Sequence, residues 1–312
     1  MNKSIISWTA LFSCNLMWAL QFTCIKLIQD QVGPFSTVFI PMLLATVFML
    51  PFVYKDVRAN KKRKLSDLKI FATLALLGQF PAQVLMTIGT QQSTASNGAI
   101  ISLSLPVISA LLAVLFLKEK MTLLRWVSFA IAIAGVVLCS LKDLMGSSFG
   151  VQYAVGNLLI LIGVLGSAFY NTFCKKIAND YTEMEMLFYT YIFMIVFLLP
   201  FVWRYEGNVL KSFSTFTSST WTGLFLLTVF HNFLSMLLFF KALKYLEAIQ
   251  VAFSNFLITL FGLPIAIIWL HEKLNLLSII GGLLVLISTI VISVWEYKQT
   301  LAGVKKISKP VV

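Results

Sequence analysis

The chain has 312 residues, 59% of them apolar and only 12% charged, with a mean hydropathy of +0.90. Soluble chains sit near half apolar and a quarter charged, so this balance excludes a soluble catalytic domain and indicates a polytopic protein of the lipid bilayer. The excess of 24 Lys+Arg over 12 Asp+Glu lies in short connections between apolar runs, which ties it to membrane orientation and argues against a nucleic-acid partner.

A spanning helix must cover about 30 Å of hydrocarbon at about 1.5 Å per residue, hence about 20 residues. Runs of that kind predict ten helices, over 5–28, 35–54, 68–90, 95–117, 122–141, 153–174, 184–203, 221–241, 247–270 and 276–296. The first is read as a retained helix, because Cys24-Ile25-Lys26-Leu27-Ile28 offers no small-residue cleavage site and further spans follow. Only the connections Lys55–Asp67 and Arg204–Thr220 are longer than a short turn, so no extramembrane domain is expected. Continuous apolar runs contradict the in/out alternation of barrel strands, and the expected fold is an all-α membrane protein. Cys14, Cys24, Cys139 and Cys174 all fall within or at the ends of apolar runs, where free thiols behave as small hydrophobes, and no disulfide framework is implied.

Orientation follows from basic residues counted on alternate sides of the ten spans. One side receives Lys3, the cluster Lys55, Arg58, Lys61, Lys62, Arg63, Lys64 and Lys69, then Lys118, Lys120, Arg125, Lys175, Lys176, Lys241, Lys244, Lys298, Lys305, Lys306 and Lys309. The other receives Lys26, Lys142, Arg204, Lys211 and Lys273, a partition of 19 against 5. Both termini are therefore expected in the cytoplasm.

Internal similarity is the strongest signal. Val47-Phe48-Met49-Leu50-Pro51-Phe52-Val53 recurs as Val196-Phe197-Leu198-Leu199-Pro200-Phe201-Val202, identical at six of seven positions with an offset of 149 that also aligns Ala19 with Ala168, Thr23 with Thr172 and Lys26 with Lys175. Leu117-Lys118-Glu119-Lys120-Met121-Thr122-Leu123-Leu124 recurs as Leu270-His271-Glu272-Lys273-Leu274-Asn275-Leu276-Leu277 at five of eight, offset 153. Leu74–Phe80 matches Leu224–Phe230 at four of seven. Three matches in one order indicate a tandem duplication, with a first five-helix repeat over 1–146 and a second over 147–312 that ends in a short cytoplasmic tail. An odd number of spans inverts the copy, giving two inverted five-helix repeats, the recurring architecture of secondary transporters that expose a midplane site to each side in turn.

Ten spans in two halves, each closing its fourth span with an apolar-Leu-x-Glu-Lys turn at Leu117–Lys120 and Leu270–Lys273, resemble the EamA-type family of the drug/metabolite transporter superfamily. The resemblance covers about 5–296. It implies a multi-pass permease of the bacterial cytoplasmic (inner) membrane, often an exporter of amino acids or related metabolites. It further implies a cavity lined by the first, third and fourth helices of each half, with the fifth helices peripheral and available for a dimer contact. The expected assembly is a monomer or a homodimer.

Polar residues inside the spans fall where that allocation puts them, and burying an amide or imidazole in hydrocarbon is costly unless it faces a cavity or a partner. Candidate substrate-binding residues are Asn15, Trp18 and Gln21 on the first span, Gln79 and Gln83 on the third and Asn97 on the fourth. Their second-half counterparts are Tyr170 and Asn171, then His231 and Asn232, then Asn255. Trp18 with Gln21, Gln79 with Gln83 and His231 with Ser235 have the i,i+3 or i,i+4 spacing of one helix face. The competing role for any one amide is hydrogen bonding between helices; as a set on six helices they indicate a polar cavity. Pro81, Pro106 and Pro264 remove intrahelical hydrogen bonds and offer bends. Glu119 and Glu272, in the repeated turns, are candidate gate residues, one on each face, or simply solvated turn residues.

Chemistry is thin by design. His231 with Ser235 on one helix gives poor attack geometry, and Gly-x-Ser-x-Gly, HExxH and a phosphate-binding glycine loop are missing, so no catalytic residue, metal or cofactor is expected. The expected function is a secondary transporter, with export the favoured direction, of small neutral or zwitterionic metabolites such as amino acids. A passive channel or a lipid-carrier flippase is the alternative. With His231 the only titratable group deep in a span, coupling to protons, facilitated diffusion and exchange all stay open.

Overall fold

The computed structural model describes residues 3–59, 67–118 and 151–271, with scattered positions between 122 and 138 and between 276 and 295. Those residues form helices, turns and short connections, without a strand among them. Eight helices among them are long and apolar enough to cross a bilayer. We number them α1 (Lys3–Ile28), α2 (Pro34–Ala59), α3 (Asp67–Gln92), α4 (Ala95–Leu117), α5 (Val151–Cys174), α6 (Glu183–Glu206), α7 (Ser218–Tyr245) and α8 (Gln250–Leu270). The remaining two expected spans, 122–141 and 276–296, lie largely outside the described residues. Their described parts include an apolar helix at Ile279–Ser288, and Ser288 Oγ donates to Ser128 O at 2.6 Å, so the two segments touch.

The ends of the helices are written in local chemistry. Thr94, Thr182 and Thr217 are N-caps whose hydroxyls accept from Asn97 N, Glu185 N and Thr220 N, and Glu185 returns a bond to Thr182 N at 2.9 Å, a full capping box. α4 ends on Lys118 at φ 57° and α8 on His271 at φ 54°. These two non-glycine residues, the pair with positive φ among the described residues, occupy the same place in the repeated turn. The left-handed C-cap stops each helix.

Helix regularity is broken at three places inside the bundle. α3 carries wide π-type turns over Leu74–Gln79 and Pro81–Leu85, because Pro81 has no N–H to continue the α pattern. α7 has a π stretch at the corresponding level, Leu226–Leu234, without any proline. α4 tightens to a 3₁₀ turn at Ser102–Ser104.

Packing interleaves the two halves. α1 packs on α7 and α8, while α5, its counterpart, packs on α3 and α4; α2 packs on α6, and α4 on α8. Exchanging the halves leaves this set of neighbours unchanged. α2 and α6, which carry the repeated Pro-Phe-Val segment, run antiparallel, and each delivers a carboxylate to the other's first turn. Glu206 at the end of α6 accepts from Phe35 N at 3.0 Å and Ser36 N at 2.7 Å, and Asp56 at the end of α2 accepts from Thr182 Oγ1 at 2.8 Å. A carboxylate at a helix N-terminus satisfies free N–H groups and complements the macrodipole.

The main core is aromatic, with Tyr170, Tyr191, Phe71, Phe239 and Phe240 almost wholly buried between α2, α3, α5, α6 and α7. The outer surface is apolar as well: Leu115 is 70% and Phe48 61% exposed. Tyr54, Trp203 and Tyr205 stand out near the ends of α2 and α6, the level at which aromatic residues meet the membrane–water interface.

Candidate functional site

Six helices meet around one internal cavity. Its wall takes Trp18, Gln21 and Phe22 from α1, Gln79, Ala82, Gln83 and Met86 from α3, Ser102 and Leu105 from α4, Ser167, Tyr170 and Asn171 from α5, His231 and Met236 from α7, and Ile258 from α8. These are the first, third and fourth spans of each half. The cavity leaves about 50 Å³ to the centres of water-sized molecules. One water needs roughly 10–15 Å³ of that measure, so in this conformation the space suits a few waters, and a larger solute requires the helices to part.

Two devices press polar groups onto this wall. On the α3 side, close approach to α5 comes from glycine: a Cβ on Gly156 would stand 2.8 Å from Gly89 O, and one on Gly166 would meet the Pro81 ring at 2.6 Å. Gln79 and Gln83, on either side of Pro81, are thereby held against α5. On the α7 side the π stretch is clamped by Asn232, whose Nδ2 donates to Leu227 O, five residues back, at 2.8 Å. Tyr191 Oη donates to Asn232 O at 2.7 Å, tying the same turn to α6. This places His231, the next residue, at the cavity. Trp18 is backed by Phe239, ring centroids 5.3 Å apart.

Of the residues singled out from the sequence, Trp18, Gln21, Gln79, Gln83, Tyr170, Asn171 and His231 share this cavity. Asn15, Asn97, Asn232 and Asn255 stand elsewhere. Asn15 is wholly buried and donates to Leu11 O at 2.8 Å and across to Ser254 Oγ at 3.0 Å. Asn97 belongs to a polar knot at the α3–α4 turn, donating to Ser93 Oγ at 3.1 Å, while Ser93 Oγ donates to Asn157 Oδ1 at 2.6 Å. Asn232 is the clamp just described. Asn255 is 1% exposed, and neither amide atom has a hydrogen-bond partner. Glu119 and Glu272 lie outside the described residues.

Hydrogen bonding separates the two groups. Among the described residues two side-chain bonds join wall residues to protein groups on other helices: Gln21 Nε2 donates to Gln83 Oε1 at 3.2 Å, and Tyr170 Oη to Thr190 Oγ1 at 3.4 Å. The side chains of Gln79, Asn171 and His231 make none, and the buried Gln79 Oε1 and His231 Nδ1 are unsatisfied. Buried polar groups in folded proteins are normally paired, since an orphan costs roughly 1–3 kcal/mol. Asn97 and Asn232 obey that rule, and Asn15 obeys it through Nδ2 while its buried Oδ1 stays unpaired. Gln79 and His231 break it at one shared space, and Asn255 breaks it elsewhere.

The sequence singles out neither the apolar share of the wall, Phe22, Met86, Leu105, Met236 and Ile258, nor Asn157 in the polar knot. Apolar residues in a membrane helix carry no signal of which face they take. Asn157 shows as a single amide near the start of α5.

Comparison with known proteins gives a consistent picture. The model of the EamA-like transporter family matches residues 6–141 and 154–294. An "Uncharacterized transporter" of Archaeoglobus fulgidus is 24% identical over 86% of this chain and 91% of its own length. A "Probable terminal-alkyne amino-acid exporter" of Streptantibioticus cattleyicolor is 23% identical over 99% of both chains. A solved structure described as "Crystal structure of protein" superposes with a TM-score of 0.67 at 12% identity, covering 93% of this chain and 98% of that one, which is a likeness of fold.

Proposed function

The chain belongs to the EamA-like transporter family, and on that premise we propose that it is a secondary transporter moving small neutral or zwitterionic metabolites, amino acids among them, by alternating access through the α1/α3/α4–α5/α7/α8 cavity. The observation that carries this reading is the contrast in hydrogen bonding. Gln79, Asn171 and His231 hold unpaired capacity around one space, whereas the amides of Asn97 and Asn232 are taken up by protein groups and Asn15 donates to Leu11 O and Ser254 Oγ. Unpaired groups gathered on one shared space can take a mobile partner, which is a use a transporter has for them. The wall holds amides, hydroxyls, one imidazole and aromatic rings with no Asp, Glu, Lys or Arg among its described residues, which suits solutes without net charge.

Alternating access comes from two inverted five-helix repeats, 1–146 and 147–312, with ten spans in all. Supporting this are the doubled family match, the antiparallel α2–α6 pair and a neighbour set unchanged by exchanging halves. Such halves rock about a fixed midplane site. The 19-to-5 partition of basic residues supports a bacterial inner-membrane orientation with both termini in the cytoplasm. Export is the direction we favour, in keeping with the name of the Streptantibioticus relative.

The test is a comparison of extracellular metabolites from cells with and without the protein, followed by flux of each enriched solute in proteoliposomes. Saturable flux of a small neutral or zwitterionic solute is expected. Non-saturating conductance would mark a channel and sink the proposal.

A further inference from the structure

Gln79 and His231 sit on α3 and α7, the two helices distorted by π turns at corresponding levels, and both line the cavity. Both leave acceptor capacity unsatisfied. Gln79 Oε1 is a carbonyl oxygen with no donor, and His231 Nδ1 also has no partner. A neutral imidazole always carries one bare nitrogen, so the ring offers an acceptor whichever nitrogen holds its proton. Each residue is 4% exposed.

Charge then decides which end of a zwitterion these groups read. No Lys or Arg stands among the described wall residues, so a carboxylate would meet neutral donors only. An ammonium meets acceptor atoms together with the rings of Trp18, Phe22 and Tyr170, and both acceptors and aromatic rings attract cations. Without a carboxylate on the wall the ammonium is held loosely, as a carried solute must be to leave. Resting on the transport reading above, we propose that this cavity recognises its solute by a protonated amine, held by Gln79 Oε1 and the His231 ring. The solute's carboxylate, where it has one, is dispensable for binding.

Three probes with one apolar body separate the ends: L-leucine, its decarboxylated amine 3-methylbutan-1-amine, and its deaminated acid 4-methylpentanoate. Binding is measured by calorimetry on the full chain in lipid nanodiscs. Leucine and the amine are expected to bind, the acid about ten-fold or more weaker, the scale of one hydrogen bond to a charged group. Gln79→Leu and His231→Phe should each weaken both amine-bearing probes about ten-fold. Gln79→Glu and His231→Gln, which keep an acceptor, should retain them. Neither Gln79→Leu nor His231→Phe removes a protein hydrogen bond, so thermal midpoints no lower than that of the parent chain serve as the folding control.

Binding of the acid as tight as the amine, or failure of both amine-bearing probes to bind, overturns the inference. If Gln79→Leu and His231→Phe weaken all three probes alike, the cavity holds solutes but does not read the amine, and only the inference falls. If the probes bind and none of the variants shifts any of them, the solute lies elsewhere and the transport reading of this cavity falls with it.

Discussion

Lys26 and Lys175 occupy equivalent positions in the two halves, and each directs its ammonium at the carbonyl end of the third helix of its own half. Lys26 Nζ donates to Gln91 O at 3.1 Å, near the end of α3; Lys175 Nζ donates to Leu243 O at 2.5 Å and Leu246 O at 2.6 Å, at the end of α7. The last carbonyls of a helix have no partner within it, and a cation there also offsets the macrodipole. Lys175→Met is therefore expected to lower the thermal midpoint in detergent more than Lys26→Met, since two carbonyls lose a charged donor instead of one. A hydrogen bond to a charged group is worth roughly 1.5–3 kcal/mol, and Lys175→Arg should recover part of the loss. Equal midpoints for all three variants would show that these contacts add nothing to stability.

Much of this arrangement is legible in the amino-acid sequence, and the reason is solvent. Hydrocarbon satisfies no backbone polar group, so every span must be a helix of sufficient apolar length, and eight such helices appear where apolar runs predict them. The repeated turn is legible, though not the left-handed conformation that Lys118 and His271 share within it. The allocation of amides to the cavity is not. Asn15 and Trp18 have i,i+3 spacing, yet Asn15 bonds Ser254, 239 residues away, while Trp18 lines the cavity. A helical period gives a face, not the partner that a distant segment brings to it. The α7 π stretch is likewise hidden, because it depends on Tyr191 of α6 and has no proline to mark it.

Orientation can be checked by thiol labelling. With Cys139 replaced by Ser, the buried Cys14, Cys24 and Cys174 should stay silent toward a membrane-impermeant reagent. Arg58→Cys, in the basic last turn of α2, should resist the reagent in intact cells, and Asn208→Cys, between α6 and α7, should react. The reverse pattern would turn the protein over.

The clamp on α7 makes a separable prediction about His231. Asn232→Leu removes the 2.8 Å bond to Leu227 O and frees the π stretch, so both stability and flux should fall. Tyr191→Phe removes one buried donor to Asn232 O, a loss of about 1 kcal/mol, and should leave a smaller defect of the same kind. Flux that survives Asn232→Leu at the same level per folded molecule would show that the π geometry does not position His231.

Stability and flux should part company between Asn15 and Gln79. Asn15 is wholly buried and bonds both Leu11 O and Ser254 Oγ, so Asn15→Leu forfeits an interhelical contact worth a fraction of a kcal/mol to about 2 kcal/mol. Its thermal midpoint should drop, while flux per folded molecule changes little, because Asn15 is not on the cavity wall. Gln79 is almost as buried but bonds nothing, and its Oε1 is an orphan whose removal costs the fold no hydrogen bond. Gln79→Leu should keep or raise the midpoint, relieving an unsatisfied group, yet cut flux of the metabolite identified by the cell comparison. If instead Gln79→Leu destabilises the protein and spares flux, the unpaired amides are structural after all, and the cavity is a packing defect between helices that transport by another route.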